Sequence, residues 1–248
     1  MYSISIIIAT YNADKFLKNC LDSICPQING KTELIIIDGA SLDHTIEIIK
    51  AYQSFINFWI SEPDQGIYDA WNKGIKVANG EWIMFMGADD ILLPNALKSY
   101  IDLLENKDIS NYDYISGINE YVNKNGILLK LLGKGAEWKL MKKGMSAAHV
   151  GSLHNKINLF NTVGNYDLQF RICADYELLL RKRDNLKSFF INAMIAKMKV
   201  GGMSFSAKAI IETFKIRSKH NSVNLYLNIL LFMRDYLAFN FFRLRKFV

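Results

Sequence analysis

The run Glu81-Trp82-Ile83-Met84-Phe85-Met86 is of strand length and mostly apolar, and it ends abruptly in Gly87-Ala88-Asp89-Asp90. A near-continuous apolar run of that length reads as a strand covered on both faces. Two adjacent carboxylates at its end are costly unless something positive meets them. A divalent cation with oxygen ligands would do so, and phosphate oxygens can share it. The competing reading is that Asp89 and Asp90 cap a following helix whose first turn holds Pro94. Spacing alone leaves both open.

The same pattern recurs upstream. Ser3 to Ala9 is apolar and β-branched, and breaks at Thr10-Tyr11-Asn12. Phe16, Leu17, Cys20, Leu21 and Ile24 then form one helical stripe between Asp14 and Ile24. Leu34 to Ile37 is a second buried strand that ends in Asp38-Gly39-Ala40-Ser41. Helical spacing returns from Asp43 to Tyr52, and Phe55 to Ile60 reads as a third strand. Ile67, Ala70, Trp71, Ile75 and Ala78 lie on one helix face, stopped by Asn79-Gly80. This alternation predicts an α/β fold with parallel strands. Ligands of such sheets sit at the carboxyl ends of strands, which places Tyr11, Asn12, Asp38, Asp89 and Asp90 on one rim. Each has a plainer reading. Asn12 and Ser41 close turns or cap helices, Tyr11 packs, and Asp38 is a turn residue. Asn72 and Lys73 fit a solvated helix face.

With 248 residues, the chain can bury one sizeable core and carry an appended segment. Apolar residues make up 50% and charged residues 22%, so it is globular rather than disordered. Cys20, Cys25 and Cys173 have no metal spacing and suit a reducing cytoplasm. No basic n-region opens the chain, and no apolar run of about 18 residues occurs, so neither a signal peptide nor a spanning helix is expected. A net charge of +6 suits an anionic partner such as a nucleotide sugar, or an anionic membrane surface. Nucleic acid is not expected as a partner, because no usual aromatic–basic motif is present. The absence of G-x-x-x-x-G-K-[ST] counts against an ATPase.

DQGIYDAWNKGIKVANGEWIMFMGADD, residues 64–90, resembles the core of the family 2 glycosyltransferases, inverting enzymes that use nucleotide-diphosphate sugars. It is closest in pattern to a subgroup with a DQGIYDAxNKGI segment, whose members build bacterial surface polysaccharides. The resemblance runs more loosely from Ser3 to about Ser204. It implies a GT-A type fold, with a mostly parallel central sheet flanked by helices. SIIIATYN resembles the segment that lines the nucleobase pocket, and IIIDGASLD the turn whose first Asp contacts base or ribose. By that match Ala9, Tyr11, Asn12 and Asp38 bind the nucleoside, with Tyr11 against the ring, while Asp43 caps a helix. Gly66, Trp71, Asn72 and Lys73 fall beside the diphosphate. Many relatives carry Arg where this chain has Trp71, which leaves Lys73 as the substitute cation.

The resemblance also implies Mn²⁺ or Mg²⁺ at the strand end, beside Gly87, Ala88 and Asp89. Relatives often read Asp-x-Asp there; here Gly87 replaces the first acid. Asp89 is then the main metal ligand, supported by Asp90, and His149 lies near the metal, as a further ligand, or near the sugar phosphate.

Beyond Asp90 the pattern predicts a helix over Leu97–Leu104 and strands over Tyr112–Val122 and Gly126–Leu132. Lys130, Lys134, Lys139, Lys142 and Lys143 read as solvated surface. His149, the turn Gly164-Asn165-Tyr166-Asp167 and the helix start Ala174-Asp175-Tyr176-Glu177 resemble the acceptor half of the family: a His-containing strand, a G-x-[FY]-D turn and an acidic helix start. Matched by position, Asp175 is the catalytic base and Ala174 replaces a frequent Glu. Val200-Gly201-Gly202-Met203-Ser204 resembles a loop that folds over the donor.

Asn224 to Val248 is crowded with Leu, Phe and Tyr and ends in Arg243, Arg245 and Lys246. It reads as a helix in the membrane interface, or as one packed on the catalytic domain or on a second copy of the chain.

These readings give residues 1–205 as the transferase domain, with a nucleotide-sugar half at 1–90 and an acceptor half at 91–205. Residues 206–248 form a helical extension. The expected activity is sugar transfer from a UDP-sugar or similar donor to a glycan or polyprenyl-diphosphate-linked acceptor, at the cytoplasmic face of the membrane. The alternative is a non-catalytic relative that binds nucleotide, glycan or lipid. Gly87, Trp71 and Ala174 favour that alternative; Asp89 and Asp175 favour the enzyme.

Overall fold

The structure, a computed structural model, describes residues 3–199 and 201–245. Strands β1 (Ile4–Thr10), β2 (Thr32–Asp38), β3 (Phe58–Ser61) and β4 (Trp82–Gly87) are joined through helices α1 (Leu17–Ile24), α2 (Thr45–Ala51) and α3 (Ile67–Val77). All four strands run parallel, in the order β3-β2-β1-β4. Their side chains alternate between two cores, as a pleat requires. Ile6, Ile8, Leu34, Ile36, Met84 and Met86 meet α1 and its neighbours on one face. Ile7, Ile35, Ile37, Ile83 and Phe85 meet α3 on the other.

After β4 come β5 (Ile91–Leu92), α4 (Ala96–Asn106), the hairpin β6 (Tyr114–Val122) and β7 (Leu128–Leu132), short α5 (Trp138–Met141) and β8 (Leu153–Asn155). Short α6 (Asn161–Val163), α7 (Ala174–Leu180) and β9 (Ser188–Lys199) follow. The sheet continues β4-β8-β6-β9-β5, with β7 on β6. Parallel pairing persists only between β6 and β9; β8 is antiparallel to both β4 and β6, as are β5 to β9 and β7 to β6. Antiparallel neighbours need no crossover helix, which is why a strand–helix alternation does not announce them.

Asp89 and Asp90 do not cap a helix. β5 intervenes, and α4 begins at Ala96 behind Asn95, whose φ is 64°. Asp43 does support a first turn, accepting from the Thr45 N–H at 3.0 Å. His149 lies in the loop ahead of β8; the strand itself carries His154.

The extension forms two helices, α8 (Ala207–Lys219) and α9 (Leu225–Arg245). Ile216 of α8 joins the second core, and Arg217 beside it is fully buried. The Arg217 Nε donates to Asn228 Oδ1 of α9 at 2.6 Å, and Phe214 meets Phe232 edge-on. The opposite face of α9 is exposed at Tyr226, Leu230, Met233 and Leu237. No helix among the described residues is long and apolar enough to cross a membrane. The side chains of Arg243 and Arg245, and all of Lys246, lie outside the described residues.

Candidate active site

A cleft of about 810 Å³ opens at the carboxyl ends of β1, β2 and β4. Ala9, Tyr11, Asn12, Gly66, Gly87, Ala88 and Asp89 all line it. Tyr11, on its wall, is 65% exposed. Asn12 takes a positive φ of 46° and ties two loops: its side-chain oxygen accepts from the Leu42 N–H, and its own N–H donates to Ser41 Oγ. Gly66 sits at φ 114°, a conformation that favours glycine, so the chain can turn from the cleft into α3.

Four residues expected at the nucleotide sugar do not line this cleft: Trp71, described below, and Asp38, Asn72 and Lys73. Asp38 is fully buried, and its carboxylate accepts from Thr10 Oγ1, the Ser41 N–H, Ser41 Oγ and Ser61 Oγ at 2.5–2.9 Å. A buried carboxylate needs such donors, and these leave it holding loops together. Asn72 is taken up by the Tyr166 backbone, donating to its carbonyl and accepting from its N–H. Lys73 pairs with Glu62 at 2.9 Å and donates to the Pro63 carbonyl.

Asp64 and Arg171 stand in the cleft instead. Asp64 accepts from the Gly66 N–H at 2.8 Å and lies so close to Gly39 that a Cβ there would come within 2.6 Å of its Oδ2. Asp64 belongs to the DQG segment already singled out in the sequence. Arg171 carries no such signal, because it comes from a loop 106 residues beyond Gln65, whose carbonyl accepts from its Nη1 at 3.1 Å.

A second cleft of about 680 Å³ continues the first, and Ile67, Gly87, Asp89, Arg171 and Met203 line both. Met203 belongs to the loop expected over the donor; Val200 of that loop lies outside the described residues. Asp90, Trp71, His149 and Asp175 line the second cleft. Asp175 Oδ1 lies 3.0 Å from the Tyr68 hydroxyl, which also meets the Ile172 carbonyl at 2.7 Å. Burial raises the Asp175 carboxyl above its ordinary value.

Trp71 and His149 are wall rather than rim. Their rings stack at 5.3 Å, inside a layer completed by Phe85, His154 and Tyr166. Burial pushes His149 down to about 3, so it is neutral, and its Nε2 is 3.2 Å from the Tyr166 hydroxyl. Among the described residues no three His, Cys, Asp or Glu converge as a metal site.

The two carboxylates alone fit a cation. Asp90 is buried and accepts from the Gly87 N–H at 2.8 Å; burial, and then the charge of Asp89, push it up to about 8. Among the described residues neither carboxylate has a basic ion-pair partner. Asp89 is exposed to both clefts. A Cβ at Gly87 would approach Asp90 Oδ2 to 2.9 Å, so the missing first acid leaves room for the other two.

A parallel βα half with acids at its strand ends, continued by a mixed half that carries a buried base candidate, has the GT-A type of fold. The chain belongs to glycosyl transferase family 2, which residues 5–157 match. It is 31% identical over 210 residues to the PGL/p-HBAD biosynthesis glycosyltransferase of Mycobacterium bovis, covering 81% of this chain and 78% of that one. It is 30% identical over 132 residues to an Escherichia coli enzyme, the UDP-Glc:alpha-D-GlcNAc-diphosphoundecaprenol beta-1,3-glucosyltransferase WfgD, covering 53% of this chain and 51% of that one. Among solved structures, S. aureus TarS 1–349 with UDP-GlcNAc shares the fold at a TM-score of 0.71 and 15% identity, over 96% of this chain and 73% of that one. The mannosyltransferase PcManGT from Pyrobaculum calidifontis, with GDP-Man and Mn²⁺, does so at 0.65 and 13%, over 96% and 70%. The protein is a glycosyltransferase.

Proposed function

We propose that the protein transfers a sugar from a UDP-sugar, with inversion, to a glycan or polyprenyl-diphosphate-linked acceptor of a surface polysaccharide. One observation carries this reading: the two clefts share a wall containing Asp89 and Arg171, and Asp175 faces the second cleft beyond it. The first cleft takes the nucleoside, with Tyr11 against the base. The diphosphate reaches the shared wall, where Arg171 meets its charge. Asp89 and Asp90 would hold Mn²⁺ or Mg²⁺, which when bound offsets negative charge on a leaving diphosphate. The acceptor hydroxyl enters the second cleft. Asp175 takes its proton as its oxygen attacks the anomeric carbon from the side opposite the diphosphate. A single displacement inverts that centre and needs no nucleophile from the protein. The E. coli relative is named for a UDP-glucose donor and a diphosphoundecaprenol-linked acceptor, which supports both substrate classes.

Residues 1–90 supply most of the donor cleft and 91–205 most of the acceptor cleft, with Arg171 reaching from the second to the diphosphate, and the exposed apolar face of α9 rests on the membrane that presents a lipid-linked acceptor. The test is a donor screen by thermal shift with and without Mn²⁺, followed by nucleotide-diphosphate release with undecaprenyl-diphosphate sugars. A UDP-sugar that raises the melting temperature and is consumed only with acceptor supports transfer. Binding without turnover across the donor and acceptor panel would favour the non-catalytic alternative.

A further inference from the structure

Arg171 and Asp175 both reach the clefts, yet the segment bearing them has little secondary structure of its own; α7 is only seven residues long. A carboxylate from the extension holds that segment. Glu212 of α8 accepts three consecutive backbone N–H groups: Arg171 at 3.0 Å on Oε1, then Ile172 and Cys173 at 2.9 and 3.0 Å on Oε2. The same helix face reaches Cys173 again, with Ala209 O 3.6 Å and Thr213 Oγ1 3.7 Å from its sulfur. Ala209, Ile210 and Thr213 also line the second cleft. Hydrogen bonds to an ionised acceptor are shorter and about twice as strong as neutral ones, so three on one carboxylate make a firm anchor.

We infer that Glu212 is a positioning residue for transfer: it fixes the 171–173 backbone so that Arg171 and Asp175 stand on the walls of the two joined clefts. The inference rests on reading Asp175 as the base. It makes α8 part of the catalytic apparatus. An aspartate at 212 is one methylene short, and a glutamine keeps one acceptor oxygen while setting an NH₂ against a backbone donor.

Full-length Glu212→Ala, Glu212→Asp and Glu212→Gln are compared with wild type, with Asp175→Asn in parallel. Hydrogen exchange across 170–176 reads the anchor without any substrate. In Glu212→Ala, exchange of the 171–173 amides should rise about tenfold or more, as loss of a charged acceptor implies. At temperatures where the variant is fully folded, UDP release from the donor found by screening should fall about 10–100-fold in kcat, the cost of a slight misplacement. Glu212→Gln should recover part of both, and Glu212→Asp less. Unchanged exchange at 171–173 overturns the inference. So does full kcat in a variant that has lost only thermal stability. If Asp175→Asn turns over like wild type while Glu212→Ala still frees 171–173, the reading of the base has failed and the anchor has not.

Discussion

The hydroxyl of Tyr68 on α3 lies 3.0 Å from Asp175 Oδ1 at the start of α7, joining the two halves of the fold at the candidate base. Burial, and then the Asp175 charge, hold the phenol well above its ordinary value, so it remains a donor. A bond to the ionised carboxylate favours that form and opposes the upward push of burial. Tyr68→Phe should therefore raise the Asp175 carboxyl further. The acid limb of the kcat/KM–pH profile should move to higher pH, with the high-pH plateau less affected. An unmoved acid limb would separate Tyr68 from the titrating group.

Asp175→Asn keeps size and hydrogen bonding but cannot accept a proton. Turnover should fall by about 10²–10⁴-fold while donor affinity survives, because a base acts on the acceptor hydroxyl alone. Calorimetry with the donor, beside a UDP-release assay, reads both. Wild-type rates in the variant would place the base elsewhere.

Asp89 is the acid exposed to both clefts, and its removal should cut transfer by orders of magnitude. In Asp89→Ala, donor affinity should also stop depending on Mn²⁺ or Mg²⁺. Full activity of the wild-type protein in a chelator would end the metal reading.

Glu177 supplies a pH dependence of stability that is separate from catalysis. Burial pushes its carboxyl up, but hydrogen bonds from His220 and Arg181 more than reverse this and leave it at about 2, against an ordinary 4.5. The native state holds the ionised form more tightly than the unfolded chain does. The stabilisation is therefore complete above about pH 4.5 and lost as pH falls toward 2. Thermal melts from pH 6 to 2.5 should show this slope in wild type and a flatter one in Glu177→Gln. Equal slopes would mean that the His220 and Arg181 contacts do not bias ionisation.

The outer face of α9 should bind anionic membranes. Tyr226 is 82% exposed, and Leu230 and Leu237 are 63% and 66% exposed on the same side. Lys or Arg near an anionic surface contributes about 1 kcal/mol each, so binding should weaken with salt. Point changes test this better than deletion, since removing α9 would strip Asn228 from buried Arg217. Leu230→Glu with Leu237→Glu should abolish flotation with anionic liposomes and leave UDP binding intact. A wild-type protein that never floats would refute membrane contact.

Local pattern was enough to read the first half of the molecule. Apolar runs such as Leu34–Ile37 could only be strands covered on both faces, and their abrupt polar ends placed Tyr11, Asn12 and Asp89 at one rim. The strand–helix alternation implied an α/β fold, and the GT-A type followed only from the resemblance of the contiguous DQG…GADD segment to a known family. Which side chains face the cleft was not legible, because a strand-end acid can point either way. Asp38 and Asp89 both end apolar strands, yet four donors draw Asp38 inward while Asp89 meets both clefts. Lys73 and Arg171 differ likewise. Glu62 engages the first, whereas a loop far along the sequence delivers the second to Gln65. The mixed pairing of the second half, the Tyr68–Asp175 contact and the Glu212 anchor all join residues distant in sequence. Such contacts arise only when the two halves close on each other, because no local periodicity encodes which buried donor finds which acceptor.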